Sequence, residues 1–150
     1  RRTGVIARVL RYGALLGALA LLMSPAFEAG AVRPQTAQAP ELEQAWSAEK
    51  LTQLRSEGRT VFVNFTADWC ITCKVNERVA LSSDRVHEAF AQKNVAWLTG
   101  DWTRADPAIT AVLEQFGRSG VPLYLVYKNG AEPKILPQVL TPDLVVESLN

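Results

Sequence analysis

Residues 60–66 (Thr-Val-Phe-Val-Asn-Phe-Thr) form a run of β-branched and aromatic side chains that is almost entirely apolar. A strand with one face in water alternates apolar and polar positions. A strand apolar at nearly every position has to be covered on both faces. The run therefore predicts a central strand with structure packed above and below it, and the rest of the chain has to supply that cover.

The flanking signals supply it as helices. Ser47 is placed as an N-cap, with Trp46 and Leu51 as a hydrophobic staple, and the helix that follows ends at Gly58. A second helix opens at Cys70, breaks at Ser82-Ser83-Asp84 and restarts to about Gln92. Val95–Asp101 reads as another strand. Asp106-Pro107 is a cap followed by a first-turn proline, starting a helix that ends at Gly117. Leu123–Tyr127 is a third strand. Asn129-Gly130 predicts a tight turn into a short fourth strand near Lys134–Leu136. Thr141-Pro142 caps a final helix. The order α-β-α-β-α-β-β-α predicts a mixed four-stranded sheet of the α/β class, parallel at first and closed by an antiparallel hairpin, with helices on both faces. Apolar stripes at Leu51/Leu54 and Ile109/Val112/Leu113 are assigned to the core, together with Trp97. Trp102 is read as a loop or rim residue and His87 as a surface residue.

Upstream of this domain, Tyr12–Phe27 is sixteen residues without a charge, preceded by Arg1, Arg2, Arg8 and Arg11. As a helix it reaches about 24 Å, a little short of a hydrocarbon core of roughly 30 Å, and snorkelling of Arg8 and Arg11 closes the gap. Three readings remain: a signal peptide with a small-residue site at Ala29-Gly30-Ala31, the last span of a membrane protein, or a buried helix of a soluble domain. Both membrane readings keep the arginines in the cytoplasm and place everything after Phe27 outside it. Residues 28–40, rich in small residues and containing Pro34 and Pro40, read as a linker. The expected organisation is thus 1–27 membrane span or signal-like segment, 28–40 linker and 41–150 globular domain. The first residue is Arg rather than Met, which points to a piece of a longer chain.

Charge narrows the function classes. Residues 1–40 carry five Arg against one Glu, whereas residues 41–150 carry eleven Lys/Arg against fourteen Asp/Glu. A domain with net charge −3 is poorly suited to neutralising phosphates, so no nucleic-acid partner is expected. Two Cys and one His exclude a Cys-rich zinc or iron–sulfur centre and a multi-His metal site, and no cofactor is called for.

The chemistry lies in Trp69-Cys70-Ile71-Thr72-Cys73, between the central strand and the helix that opens there. Two intervening residues let the sulfurs meet within one helical turn, so a small-loop disulfide can form and break. The helix N-terminus offers unpaired N–H groups and a partial positive charge that stabilise a thiolate at Cys70, below the free thiol value of about 8.5. Cys73, one turn deeper, would be protonated at rest and attack second. A structural disulfide and half of a zinc site are the other readings of the pair, although such a small loop gains little entropy and further zinc ligands are absent. A haem-attachment motif needs His after the second Cys, and Lys74 stands there.

The segment Val61–Lys74, with its Ala-Asp-Trp-Cys-x-x-Cys-Lys core, resembles the active-site segment of the thioredoxin superfamily, and most of all the C-terminal periplasmic domain of the DsbD family of membrane thiol:disulfide interchange proteins. The likeness covers residues 41–150, and the preceding apolar span then resembles that family's last transmembrane helix. It implies a thioredoxin fold and a reductase relay. Electrons would come from a membrane-embedded dithiol domain and leave to oxidised periplasmic thioredoxin-like or other disulfide proteins. The location implied is the bacterial inner membrane, with the globular domain in the periplasm. Gly120-Val121-Pro122-Leu123 matches the superfamily's loop before the third core strand, which implies a cis bond at Val121-Pro122 and a Val121 backbone open to pairing with an extended partner segment.

Relatives place a buried Asp six residues before the first Cys; here that position is Asn64, which cannot act as a base. Glu77, four residues after Cys73, occupies a position that is also acidic in the family, and is the candidate to accept or tune the Cys73 proton, against the reading of a solvated helix charge. Trp69 is assigned to partner contact, and Asp68 is expected to be exposed. Two other functional readings stay open: an oxidase or isomerase using the same pair, and a non-catalytic thioredoxin-like binding module in cytochrome maturation.

Overall fold

The computed structural model describes residues 43–150. The expected membrane or signal segment 1–27 and the linker 28–40 lie outside the described residues. Among the described residues no helix is long and apolar enough to cross a membrane.

The elements follow one another as β1 (Glu43–Ala45), α1 (Ala48–Ser56), β2 (Val61–Thr66), α2 (Ile71–Asn76) continued by a π-helical stretch (Glu77–Leu81), α3 (Asp84–Gln92), β3 (Ala96–Asp101), α4 (Pro107–Gln115), β4 (Leu123–Tyr127), β5 (Lys134–Ile135) and α5 (Pro142–Ser148). The sheet order is β1-β3-β2-β4-β5. β3 pairs in parallel with β1 and β2, while β4 is antiparallel to both β2 and β5. Among the described residues the sheet therefore has five strands, not the four expected. The added strand is β1, three residues long with no buried position, so nothing in its apolar pattern marks it. It exists because the backbone of Glu43–Ala45 lies against the free side of β3, in register with Trp97–Thr99.

The caps form as their residue types require. Ser47 accepts from Lys50 N at 3.1 Å, Asp106 from Ala108 N and Ile109 N, and Thr141 from Leu144 N. Each satisfies helix N–H groups that have no partner inside the helix. Gly58 and Gly117 take φ of 72° and 64° just past α1 and α4, where a side chain would strain the backbone.

β2 is buried at all six positions. Its alternation sorts the core. Val61, Val63 and Phe65 pack with Leu54 of α1 and Ile109 and Leu113 of α4, while Phe62 packs with Phe90, Trp97 and Tyr124 and with side chains of the π-helical stretch, α3 and α5. Asn64 and Thr66 alternate with Phe65, which turns them toward the second face, the one covered by the helix that opens at the cysteines.

Candidate active site

Cys70 caps α2 with extended backbone, and its Sγ accepts the Cys73 N–H at 3.2 Å. The two cysteines form a disulfide, S–S 2.04 Å and Cα–Cα 5.2 Å. They pack with Ala67 and against Val121. Cys73 is fully buried, whereas Cys70 retains 6% exposure. Around it the surface is apolar and open: Trp69 is 57% and Ile71 81% exposed. A short sulfur-bearing edge is thus presented between two large hydrophobic side chains. Trp69 is not free to swing, since its indole N–H donates to Thr103 O at 3.2 Å and its ring lies 5.9 Å from that of Trp102.

Thr103 is a hub that residue-by-residue reading of the sequence misses. Its hydroxyl accepts from Asp68 N at 2.9 Å and donates to Asp101. Its own N–H donates to Asp101 at 2.8 Å. These two bonds from Thr103 hold the Asp101 carboxyl below the usual carboxylate range. The loop after β3 and the turn before Cys70 are thereby laced together. The signal for it is Asp-x-Thr at a strand end, a common local turn pattern.

Val121-Pro122 is cis, as the resemblance implies, and lies beside the sulfurs. The peptide groups of Ser119, Gly120 and Val121 make no hydrogen bond among the described residues.

The proton-handling residues stand as follows. Asn64 is 1% exposed and its Oδ1 has no hydrogen-bond partner. Glu77 is half-buried. One carboxylate oxygen accepts from the Thr66 hydroxyl at 2.7 Å and the other from Lys74 Nζ at 3.2 Å. Lys74 also lies 3.8 Å from Asp68, which is exposed as expected. Glu77 is therefore held against the end of β2 and does not project into solvent. Asn64, Thr66, Lys74 and Glu77 line a cavity of about 550 Å³ together with Trp97 and His87. His87 is half-buried, with its ring 6.1 Å from that of Trp97, so it is less exposed than its polar surroundings in sequence suggest. Trp102, read as a loop or rim residue, lies in the loop after β3, packs partly buried against the Phe65 side of the core and donates to Thr110.

Asn76, also missed, sits 2% exposed at the end of α2. Its amide donates to Tyr124 OH at 2.9 Å and to Gln138 O at 2.6 Å, and accepts from Leu140 N at 3.1 Å. The cysteine helix is pinned in this way to the sheet and to the chain before α5. Burial of Tyr124 pushes its phenol up to about 12, although the bond from Asn76 opposes the shift.

Among known proteins, a family profile described as Thioredoxin-like matches residues 41–129. The thiol:disulfide interchange protein DsbD 1 of Pseudomonas aeruginosa is 32% identical over 82 residues, 55% of this chain and 14% of that protein. The DsbD of Haemophilus ducreyi is 33% identical over 93 residues, 61% of this chain and 15% of that protein. The chain thus spans about a seventh of the length of these curated relatives. Among solved structures, the oxidised C-terminal domain of Neisseria meningitidis DsbD superposes with a TM-score of 0.57 at 25% identity, covering 69% of this chain and 92% of that one. The reduced form gives 0.55 at 27% identity, covering 65% and 85%.

Proposed function

The chain belongs to the thioredoxin-like family, and from that premise we propose that it is a thiol:disulfide oxidoreductase acting as a protein-disulfide reductase through Cys70 and Cys73. The observation that carries this reading is the asymmetry of the pair. One sulfur sits at a helix N-cap with a backbone N–H already aimed at it, on the residue of the pair that keeps 6% exposure, and the other belongs to a fully buried residue.

In the reduced protein that N–H and the helix end stabilise a Cys70 thiolate. The thiolate attacks one sulfur of a partner disulfide. The Cys70–partner S–S bond forms, the partner's S–S bond breaks, and the partner's other sulfur leaves as thiolate and takes a proton. Cys73 then gives up its proton and attacks Cys70 Sγ, which releases the partner's second thiol and leaves the Cys70–Cys73 disulfide. Two electrons have passed to the partner. With Asn64 unable to act as a base, Glu77 is the group assigned to receive the Cys73 proton; its fixed carboxylate at the β2 end supports that role. Trp69, Val121 and Pro122 form the contact surface, with the unpaired Val121 backbone available to an extended partner segment.

The likeness to DsbD supports a longer course for the electrons. A membrane-embedded dithiol domain re-reduces the pair, and oxidised periplasmic thioredoxin-like or other disulfide proteins accept from it. Residues 41–150 form the reductase domain, tethered by residues 28–40 to a membrane segment within 1–27, at the bacterial inner membrane and facing the periplasm.

A Cys73→Ala variant should accumulate mixed disulfides through Cys70 in cells, and Cys70→Ala should accumulate none. Absence of adducts in Cys73→Ala would count against the relay. Direction is tested by equilibrium with glutathione: a potential near about −120 mV, that of strong oxidants, overturns the reductase assignment. Alkylation of Cys70 no faster than an ordinary thiol near neutral pH would overturn catalysis by the pair altogether.

A further inference from the structure

Next to Cys70 runs a groove of about 400 Å³, lined among others by Trp69, Trp102, Arg118, Gly120, Val121 and Gln138. Arg118 is the one charged side chain in its lining. It is half-buried, and among the described residues its guanidinium makes no ion pair within 4.0 Å and no hydrogen bond. Its backbone is fixed. Its backbone N–H donates to Leu113 O at 2.8 Å, just past the end of α4. A cation held in a partly desolvated groove without an anion is a binding feature awaiting its counter-charge, because guanidinium pairs with carboxylate through a matched fork of donors. The peptide groups of Ser119–Val121, which directly follow Arg118, are also without partners. A row of open backbone hydrogen-bonding groups leads from the arginine to the sulfurs.

We infer that this groove takes an extended segment of the partner protein carrying an Asp or Glu close to its reactive cysteine, with Arg118 as the residue that selects it. This rests on the thiol-exchange reading above and names its substrate class. Arg118 stands three residues before Val121, which packs against the cysteine pair, and a partner strand laid along that stretch of about 10 Å carries its acid within about three residues of the cysteine that faces Cys70. The other disulfide partners, those with neutral or basic flanks, lose this contact and gain nothing in exchange.

The test uses the full 150-residue chain, reduced, with short peptides carrying one cysteine as a mixed disulfide. One set has Asp two or three residues from the cysteine on either side, and a matched set has Asn. Peptide-thiol release is timed for the wild type, Arg118→Lys, Arg118→Gln and Arg118→Glu. Reduction by dithiothreitol alone is run in parallel to remove the intrinsic effect of the acid on the peptide thiol. The wild type should prefer the Asp peptide about fivefold at low salt, as expected for one partly exposed ion pair. Arg118→Lys, which keeps the charge but loses the fork of donors, should keep only part of that preference, Arg118→Gln should abolish it and Arg118→Glu should reverse it. At about 1 M salt, where the Debye length is about 3 Å, the wild-type preference should shrink. Exchange that proceeds with the same ratio in wild type and Arg118→Gln overturns this inference and leaves the redox assignment standing. Failure to reduce any peptide overturns the redox assignment and this inference with it.

Discussion

Replacing Asn76 by Ala should cost far more than its place at the end of a six-residue helix suggests. The side chain is 2% exposed and serves three partners: Tyr124 OH, Gln138 O and Leu140 N–H. Alanine deletes all three bonds and leaves Tyr124 OH and Leu140 N–H without partners in buried places, while the carbonyl of the exposed Gln138 can turn to water. Each orphaned buried group costs about 1–3 kcal/mol. The lower end for these two groups alone sums to about 2 kcal/mol, a substantial part of the roughly 5–15 kcal/mol that holds a domain together. Urea unfolding of the oxidised chain is the assay, with the slope expected to stay constant while the midpoint falls. Gln53→Ala serves as the control. It removes an exposed side-chain bond to Glu57 of 2.9 Å and should stay within about 0.5 kcal/mol. A cycle with Tyr124→Phe isolates one of the three bonds: the double variant should be less destabilised than the two singles added together, by about 1 kcal/mol. An Asn76→Ala cost no larger than that of Gln53→Ala, or strict additivity with Tyr124→Phe, would refute the claim that this amide fastens the cysteine helix to the sheet.

Three further outcomes are expected. Gly100→Ala should destabilise by about 1–3 kcal/mol in the same assay, because a Cβ there would come within 2.6 Å of the Phe65 ring, which is packed in the core opposite it in register; tolerance within 0.5 kcal/mol, a margin typical of surface sites, would show that the ring moves freely. Tyr124 should give stability a slope at high pH. Below about 10 both folded and unfolded chains keep its proton, but between about 10 and about 12 only the folded chain does, so stability falls through that window by up to about 3 kcal/mol. The midpoint of Tyr124→Phe, followed over the same pH range, should lack that part of the decline. Glu77→Gln should slow release of partner from the Cys70 mixed disulfide more than it slows formation, and quench-flow trapping of the adduct measures the two steps separately.

The parts of the fold legible in sequence were those governed by local chemistry. Ser47, Asp106 and Thr141 announce helix starts because a short polar side chain ahead of an apolar stripe has little else to bond to. Asn129-Gly130 marks a turn, and Gly130 there takes φ 68°. The Cys-x-x-Cys pair was readable from its place between strand and helix, and spacing puts Glu77 on the same helix, where its carboxylate meets Thr66 and Lys74. The parts not legible depend on what lies across space. β1 carries no apolar pattern, since only its backbone is used. Asn76 is read as a middling helix residue until Tyr124 and the chain at Gln138–Leu140, more than forty positions away, fold over it. Thr66 could have been found by counting two along β2 from Asn64, but its bond to Glu77 requires the helix to lie above that end of the strand.

The two margins of the sheet are stubs, three residues at β1 and two at β5. Lone margins are where stray polypeptide adheres and copies of a protein zip together, and these offer too little length to start. The open peptide groups at Ser119–Val121 lie elsewhere, and Val121 packs against the cysteine pair. On the proposed reading, the backbone left open to another chain is thus confined to the spot beside the reactive pair.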